Sequence, residues 1–250
     1  MKYLTIISFI FILLFSCSPT DSDIGDPLER VRMVLRTVDS DTAQWERGTD
    51  AYPSETNDIQ IMWYSHPGGK ELKKFKIYRS EVPDGSRKYN KIAEINIVND
   101  QNQDTLFIDT GLELQKSYYY YVVAENQDGL SSDPSDTVWY ALIEKPQLIA
   151  PRDGARITTD SITFEWTFPG YEPNYYILRI EKYWDESYHP VVSVSMIQSK
   201  YEGQMQVILS EKWISDAVSS EIYRWRVDAV GSNPLHEGSE SGWYRFTIDN

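Results

Sequence analysis

YYYYVVA at residues 118–124 and YRWRVDA at residues 223–229 are the two stretches that decide the fold. In both, aromatic or small apolar residues recur at every second position, and the two stretches begin 105 residues apart. Successive side chains of a β-strand point to opposite faces, so a period of two marks a strand with one buried face. The sequence therefore predicts the same half-buried strand in two copies of one repeat.

A second pair of landmarks shares this repeat. Trp63 and Trp166 lie 103 residues apart, and each ends a run of alternating apolar residues. Segments rich in Pro and Gly, such as residues 66–69 and 169–170, are typical of turns between such runs. Short alternating strands with regular turns and no long stretch of helical periodicity predict an all-β sandwich. The one candidate helix, at residues 210–218, is too short to change the class.

The two repeats resemble one known family. A Trp on an early strand, followed by a Tyr-x-aromatic-x-Val-x-Ala strand, is similar to the fibronectin type III fold, and both halves carry this set. The resemblance implies two tandem immunoglobulin-like (fibronectin type III) β-sandwiches, with Trp63 and Trp166 in the two cores. It also implies that Tyr118 and Tyr223 form tyrosine corners, in which the hydroxyl bonds to backbone upstream. Modules of this family are mostly not catalytic, so we expect the protein not to be an enzyme.

The N-terminus has the features of an export signal with a lipid site. Lys2 and an apolar run at residues 4–15 fit a secretory signal; at about 1.5 Å per residue, the run is too short to cross a bilayer of about 30 Å. Residues 14–17 (LFSC) resemble the bacterial lipobox, and Cys17 is the single cysteine of the chain. We expect Cys17 to be lipidated. The alternative is a plain signal peptide with an incidental cysteine.

These features predict the domain organisation and the location of the protein. Residues 1–16 form the signal peptide, 17–27 the lipidated cysteine and a polar tether, 28–143 the first sandwich and 144–250 the second. The junction leaves few residues between the sandwiches, so we expect them to be closely coupled. The lipid places the protein in the bacterial cell envelope, at the outer membrane, facing either the periplasm or the cell surface.

Charge excludes some partners. The chain has 38 acidic and 24 basic residues, a net charge of −14 and a pI near 4.6. An acidic surface repels phosphate backbones, so we expect no nucleic-acid partner. The same charge argues against docking on anionic lipid through basic patches. Contact with a membrane is therefore expected through the lipid alone.

Motifs for catalysis and cofactor binding are missing from the sequence. The chain has three histidines, His66, His189 and His236, none at metal-ligand spacing with another histidine or a cysteine. Residues 100–104 (DQNQD) begin like a calcium-binding EF-hand loop but lack the Gly and Glu expected at its sixth and twelfth positions. We expect no cofactor and no metal, and leave open a weak calcium site there as the alternative to a solvated turn.

Aromatic residues beyond those needed for two cores are the candidate ligand-binding residues. Tyr183, Trp184 and Tyr188 lie in a segment with neighbouring carboxylates, and Trp45 and Tyr52 lie in a long insertion of the first half. Aromatic rings beside carboxylates suit stacking on sugar rings and hydrogen bonding to their hydroxyls. The alternative is that these rings cover the edge of a core or the seam between the sandwiches.

The leading hypothesis is a non-catalytic, membrane-anchored protein-binding or spacer module that contacts an envelope protein. The alternative is a glycan-binding accessory protein that serves polysaccharide uptake. A third hypothesis is an enzyme accessory or a hydrolase without a recognisable motif.

Overall fold

The computed structural model describes residues 28–37, 46–68, 71–82, 88–97, 105–158, 161–171, 173–197, 204–209 and 221–249. The predicted signal peptide and tether, Trp45, the acidic turn at 100–104 and the candidate helix at 210–218 lie outside these ranges. Within them the chain forms strands and no α-helix, and hence no helix with the length and apolarity needed to cross a bilayer.

The strands are β1 (Asp50–Ala51), β2 (Ile59–Met62), β3 (Leu72–Ser80), β4 (Asn90–Asn96), β5 (Leu106–Asp109), β6 (Ser117–Asn126), β7 (Val138–Leu142), β8 (Gln147–Ala150), β9 (Ala155–Ile157), β10 (Ile162–Thr167), β11 (Tyr175–Trp184), β12 (Ser187–Ile197), β13 (Gln204–Leu209), β14 (Ile222–Val230), β15 (Glu237–Glu240) and β16 (Tyr244–Ile248).

The first sandwich packs the sheet β1-β2-β5 against the strands β4-β3-β6-β7. Alternation decides which side chains face inward: Ile59 and Ile61 of β2 and Phe75 and Ile77 of β3 are fully buried. Trp63 follows β2 and meets the ring of Phe75 edge-on, with the ring centroids 5.3 Å apart. Edge-on aromatic pairs add to the free energy that burial of apolar area supplies.

The second sandwich repeats this plan. The sheet β8-β10-β13 packs against β12-β11-β14 and the two strands β15 and β16, which both pair with β14. Phe164 and Trp166 of β10 face Tyr176 of β11 and Trp225 of β14, and all four are buried. The prediction of an all-β protein made of tandem immunoglobulin-like sandwiches is confirmed.

The tyrosines at corresponding positions of β6 and β14 make different hydrogen bonds. The hydroxyl of Tyr118 accepts a bond from the backbone N–H of Glu113 at 2.9 Å, upstream in the chain. The hydroxyl of Tyr223 donates to the carboxylate of Glu221 at 2.8 Å. Both rings are buried, so each hydroxyl needs the partner that it has.

In each sandwich, a serine that precedes the last strand (β7 or β16) makes the same two hydrogen bonds to a valine of the neighbouring strand (β6 or β14). Ser135 donates its N–H to the carbonyl of Val122 and accepts the N–H of Val122 on its hydroxyl, at 3.0 and 2.9 Å. Ser241 makes the same two bonds with Val227, both at 3.0 Å. The hydroxyl replaces a backbone carbonyl where the last strand is irregular, so the amide of the valine remains satisfied.

Backbone pairing continues from one sandwich into the other. Strand β15 runs parallel to β7, with the N–H of Ala141 bonded to the carbonyl of His236 at 2.8 Å and that of Ile143 to Gly238 at 3.2 Å. A Cβ on Gly238 would lie 2.7 Å from the hydroxyl of Tyr140, so only glycine permits this approach. The two sandwiches therefore share one ten-stranded sheet.

Candidate functional site

Three of the predicted aromatic residues lie on one hairpin. Tyr183 and Trp184 end β11, Tyr188 lies near the start of β12, and Asp185 and Glu186 form the two-residue turn with φ of 48° and 59°. Two positive φ angles are the geometry whose twist matches the flanking strands of a tight hairpin. The tip is exposed, with 42% of Tyr183 and 58% of Trp184 accessible to solvent.

These aromatic rings do not form one flat platform. Tyr183 pairs across the hairpin with Tyr188, and their rings are inclined by 60° with centroids 5.1 Å apart. Trp184 points to the other face, because neighbouring residues of a strand alternate, and meets His189 at an angle of 80°. Trp184 therefore offers a ring at the tip, whereas Tyr188 faces along the sheet toward the first sandwich.

Tyr188 begins a ladder of stacked rings and guanidinium groups. The guanidinium of Arg224 lies 3.9 Å from the ring centroid of Tyr188 and 4.0 Å from that of Trp243. On the same indole, Arg226 lies 4.8 Å from the centroid. Cations over aromatic faces attract the ring electrons, so this ladder fixes both arginines. Because guanidinium groups already lie over the faces of Tyr188 and Trp243, less of these ring surfaces is left for stacking on a ligand.

The ladder forms one wall of a cleft of about 340 Å³ between the sandwiches. Tyr52, another predicted residue, lies on the opposite wall with Pro53 and Gln60 of the first sandwich. The structure thus brings Tyr52 and Tyr188 to one cleft and leaves Tyr183 and Trp184 at the hairpin tip. Glu46, Arg179, Glu181, Arg224, Arg226, Glu240 and Trp243 complete the lining of the cleft.

Charged residues of the second sandwich line the cleft because they alternate with its core residues. Arg179 and Glu181 of β11 pair in register with Arg226 and Arg224 of β14, on the face opposite the core. Glu181 accepts hydrogen bonds from Nε of Arg224 at 2.8 Å and Nε of Arg179 at 3.2 Å. This face of an isolated sandwich would meet water, but here the first sandwich covers part of it.

Arg226 is the centre of the buried charges. Its Nε lies 2.8 Å from a carboxylate oxygen of Asp228, and its Nη1 lies 2.8 Å from one of Glu240. Its Nη2 donates to Glu46, which belongs to the first sandwich and also lies 3.4 Å from Arg179. These five residues are called the seam cluster below. Ion pairs in this cluster link the two sandwiches.

Burial changes the proton affinity of this cluster. Burial raises the pKa of Asp228 to about 7, against the attraction of Arg226, and raises the pKa of Glu240 well above its ordinary value. Burial opposes the charged form of Arg226, yet Asp228, Glu240 and Glu46 together raise its pKa well above the ordinary value. The carboxylates therefore hold the arginine charged while competing with one another.

Two further cations bridge the seam outside the cluster. Arg36 lies 2.9 Å from Asp50 through Nε and donates from Nη1 to the carbonyl of Pro234 at 2.7 Å. Lys145, at the junction, donates to the carbonyl of Ser54 at 2.8 Å, and burial lowers its pKa. Each contact joins a group of one sandwich to the other or to the junction, so the seam is held at several points.

Glu46, Asp228 and Glu240 are the group of metal-ligand side chains that the described residues bring together, with oxygens within 4.8 Å of one another. The guanidinium of Arg226 already lies among these oxygens and supplies the positive charge that a metal ion would bring. We therefore assign the group to an ion-pair network. None of its members stood out in the sequence. Asp228 lies between two core residues of β14, a position that normally faces water, and Glu46 and Glu240 have no alternating apolar neighbours that would mark them.

Comparison with known proteins gives no match to a family model. Among solved structures, the chain is similar to fibronectin type III and immunoglobulin-like domain proteins. The FN1–FN3 domains of chicken CNTN1 match with 16% identity and a TM-score of 0.28, over 81% of this chain and 65% of that one. A segment of two fibronectin type III domains from chicken tenascin matches with 19% identity and a TM-score of 0.27, over 81% and 97%. Titin module A71 from human cardiac muscle matches with 17% identity and a TM-score of 0.30, over 45% and 91%.

Proposed function

We propose that the protein is a non-catalytic lipoprotein of the bacterial outer membrane whose two sandwiches act as one module that binds an envelope protein or spaces it from the membrane. The lipid on Cys17 is the anchor and residues 17–27 are the tether. The supporting observation is the seam, where backbone pairing and buried ion pairs join the sandwiches. A stiff module presents its loops in a fixed arrangement, which lowers the entropy lost on binding.

The hairpin tip is the contact surface in this proposal. Trp184 and Tyr183 are exposed at the end of β11, next to a turn whose two flanking strands are paired. Exposed aromatic side chains held by a rigid scaffold are the residues that most often dominate binding energy at protein interfaces. The acidic turn residues Asp185 and Glu186 add charge that would favour a partner with basic residues at the contact.

A photo-crosslinking amino acid at position 184 of the full chain in living cells tests the contact. Tyr171, which is 88% exposed, is the matched control position on a different loop. We expect a discrete adduct with an envelope protein from position 184 and none from position 171. The same adducts from both positions, or none from either, would count against the tip as the contact surface.

The anchor has its own test. Cys17→Ala should abolish incorporation of labelled fatty acid and release the protein from membranes, since the thiol is the atom that carries the lipid. Ser22→Ala, in the tether, is the control and should behave as the unaltered protein. Retention of the Cys17→Ala protein on membranes would overturn the lipid anchor. Protease treatment of intact cells, with a periplasmic protein as the reference, then distinguishes the surface face from the periplasmic face.

Glycan binding is the second candidate, and the exposed indole of Trp184 favours it. An exposed ring with carboxylates beside it can stack on a sugar and accept bonds from its hydroxyls. Titration of the soluble 18–250 fragment against a panel of polysaccharides should show binding that Trp184→Ala abolishes and Tyr171→Ala preserves, with unchanged melting temperatures. Absence of binding to every polysaccharide would remove this candidate.

A further inference from the structure

The seam cluster brings together more carboxylates than cations, as the distances between its side chains show. Three carboxylates, those of Glu46, Asp228 and Glu240, surround the guanidinium of Arg226, with Arg179 as the second cation. If every group is ionised, the cluster carries one excess negative charge. Asp228 and Glu240 are also cross-strand partners, and like charges directly opposite each other in a sheet are destabilising.

Among the described residues, the groups that pack around the cluster do not remove this excess. On one side, Glu181 is paired with Arg224, and on the other Asp50 of β1 is paired with Arg36. The positive charge of Lys145, at the junction, attracts Glu240, but it also attracts Asp58 and Glu55. The neighbouring pairs are thus internally balanced, and one proton shared by the carboxylates is the simplest way to neutralise the cluster.

One of the three carboxylates is held less firmly than the other two. Asp228 and Glu240 lie on paired strands, and their residues are 4% exposed. Glu46 lies before β1, outside any strand, and 14% of its side chain is exposed. Since Arg179 and Arg226 balance two carboxylates, Glu46 is the one that can leave when the cluster carries no proton.

We propose that the seam cluster is a proton-operated latch: a proton shared by Asp228 and Glu240 keeps Glu46 bound to Arg226, and loss of that proton releases Glu46 and opens the first-sandwich wall of the cleft. Opening breaks the O–H bond of one carboxyl group, whose proton passes to water while the electron pair stays on the carboxylate, and it changes no other covalent bond. Tyr52, Pro53 and Gln60 belong to the wall that Glu46 adjoins, so the latch controls access to the aromatic and arginine ladder. The latch depends neither on the lipid nor on a partner.

The proton affinities agree in direction with the latch. Burial raises the pKa of Asp228 from its ordinary value of 3.8 to about 7 and that of Glu240 well above its ordinary value. A carboxyl whose pKa is raised in the folded state stabilises the closed seam fully below the ordinary value, and this stability is lost as the pH rises through about 7. The latch is therefore closed at pH 6 and opens toward pH 8.

Hydrogen exchange of the 18–250 fragment at pH 6 and pH 8 measures the latch directly. After correction for the chemical exchange rate, protection of the amides in residues 47–52 should fall by about tenfold at pH 8, the factor that a free-energy change of one pKa unit produces. Amides of the core strand β10 should keep their protection. Equal protection of residues 47–52 at the two pH values would overturn the proposal.

Variants assign the effect to the cluster. Asp228→Asn keeps the shape of the side chain but cannot titrate, and Glu46→Gln removes the excess charge, so both should lose the pH dependence. Near-ultraviolet circular dichroism checks that each variant folds. If Asp228→Asn does not fold, the pH dependence of Glu46→Gln alone tests the latch. His236→Asn is the control, because His236 stacks on Trp139 at the seam but is not part of the cluster. A pH dependence that persists in Glu46→Gln and vanishes in His236→Asn would contradict the latch.

Discussion

At the scale of residues, burial of a tryptophan and burial of an arginine have different sources. Trp63 and Trp166 are buried by the sandwich to which each belongs, so the alternation around them predicts their position. Arg226 lies between the core residues Trp225 and Val227 and should therefore face water. It is only 2% exposed because Asp228, Glu240 and Trp243 of its own sandwich surround it and Glu46 of the first sandwich covers it. Because the contact with Glu46 is between sandwiches, the periodicity of one strand does not predict it.

Arg226→Ala should lower the free energy of unfolding by about 3–5 kcal/mol, because it leaves buried carboxylates without their cation. Urea unfolding of the 18–250 fragment at pH 7 measures this loss. Arg156→Ala removes an arginine whose side chain is 80% exposed and lies 3.6 Å from Asp249, so it should change the value by less than about 0.5 kcal/mol. Equal losses in the two variants would mean that the seam cluster adds nothing to stability.

At the scale of elements, the strands with alternating apolar residues were predictable and the strand that joins the sandwiches was not. Strands β2 and β10 alternate in burial as they do in the sequence. Strands β6 and β14 alternate in the sequence, but most of their residues are buried on both faces, so the expected half-buried strand holds only for the face that the core covers. Strand β15 (EGSE) has no apolar residue, and its pairing with β7 is made by backbone atoms alone. Side-chain patterns do not encode such pairing; the short junction predicted only that the sandwiches would be close.

Gly238→Val tests that pairing, since a Cβ at this position meets Tyr140 and the carbonyl of Ala229 at 2.7 and 2.9 Å. The change should separate β15 from β7. Hydrogen exchange should then show lost protection at the amides of Ala141 and Ile143, which donate across the seam, and unchanged protection at Val122. Gln206→Val, at an exposed position of β13, adds the same side chain away from the seam and should leave all of these amides protected.

At the scale of the whole molecule, two cores and one seam decide how the protein unfolds. In the part of the chain that the structure describes, the hydrophobic clusters of the two sandwiches share no residue, so each sandwich could in principle unfold alone. The shared sheet, the seam cluster and the bonds of Arg36 and Lys145 oppose this, because unfolding one sandwich would leave buried charges of the other without partners. If that cost is several kcal/mol, the sandwiches should behave as one cooperative unit.

Calorimetry of the 18–250 fragment at pH 6 should therefore give a single transition in which the calorimetric and van't Hoff enthalpies agree. Gly238→Val combined with Glu46→Gln removes the strand pairing and the ion pair across the seam, and should divide the transition into two. Trp184→Ala, which changes an exposed ring at the hairpin tip, is the control and should leave it single. Two transitions in the unaltered fragment would show that the seam is too weak to couple the sandwiches, and a module that spaces or presents a partner would then bend at the junction.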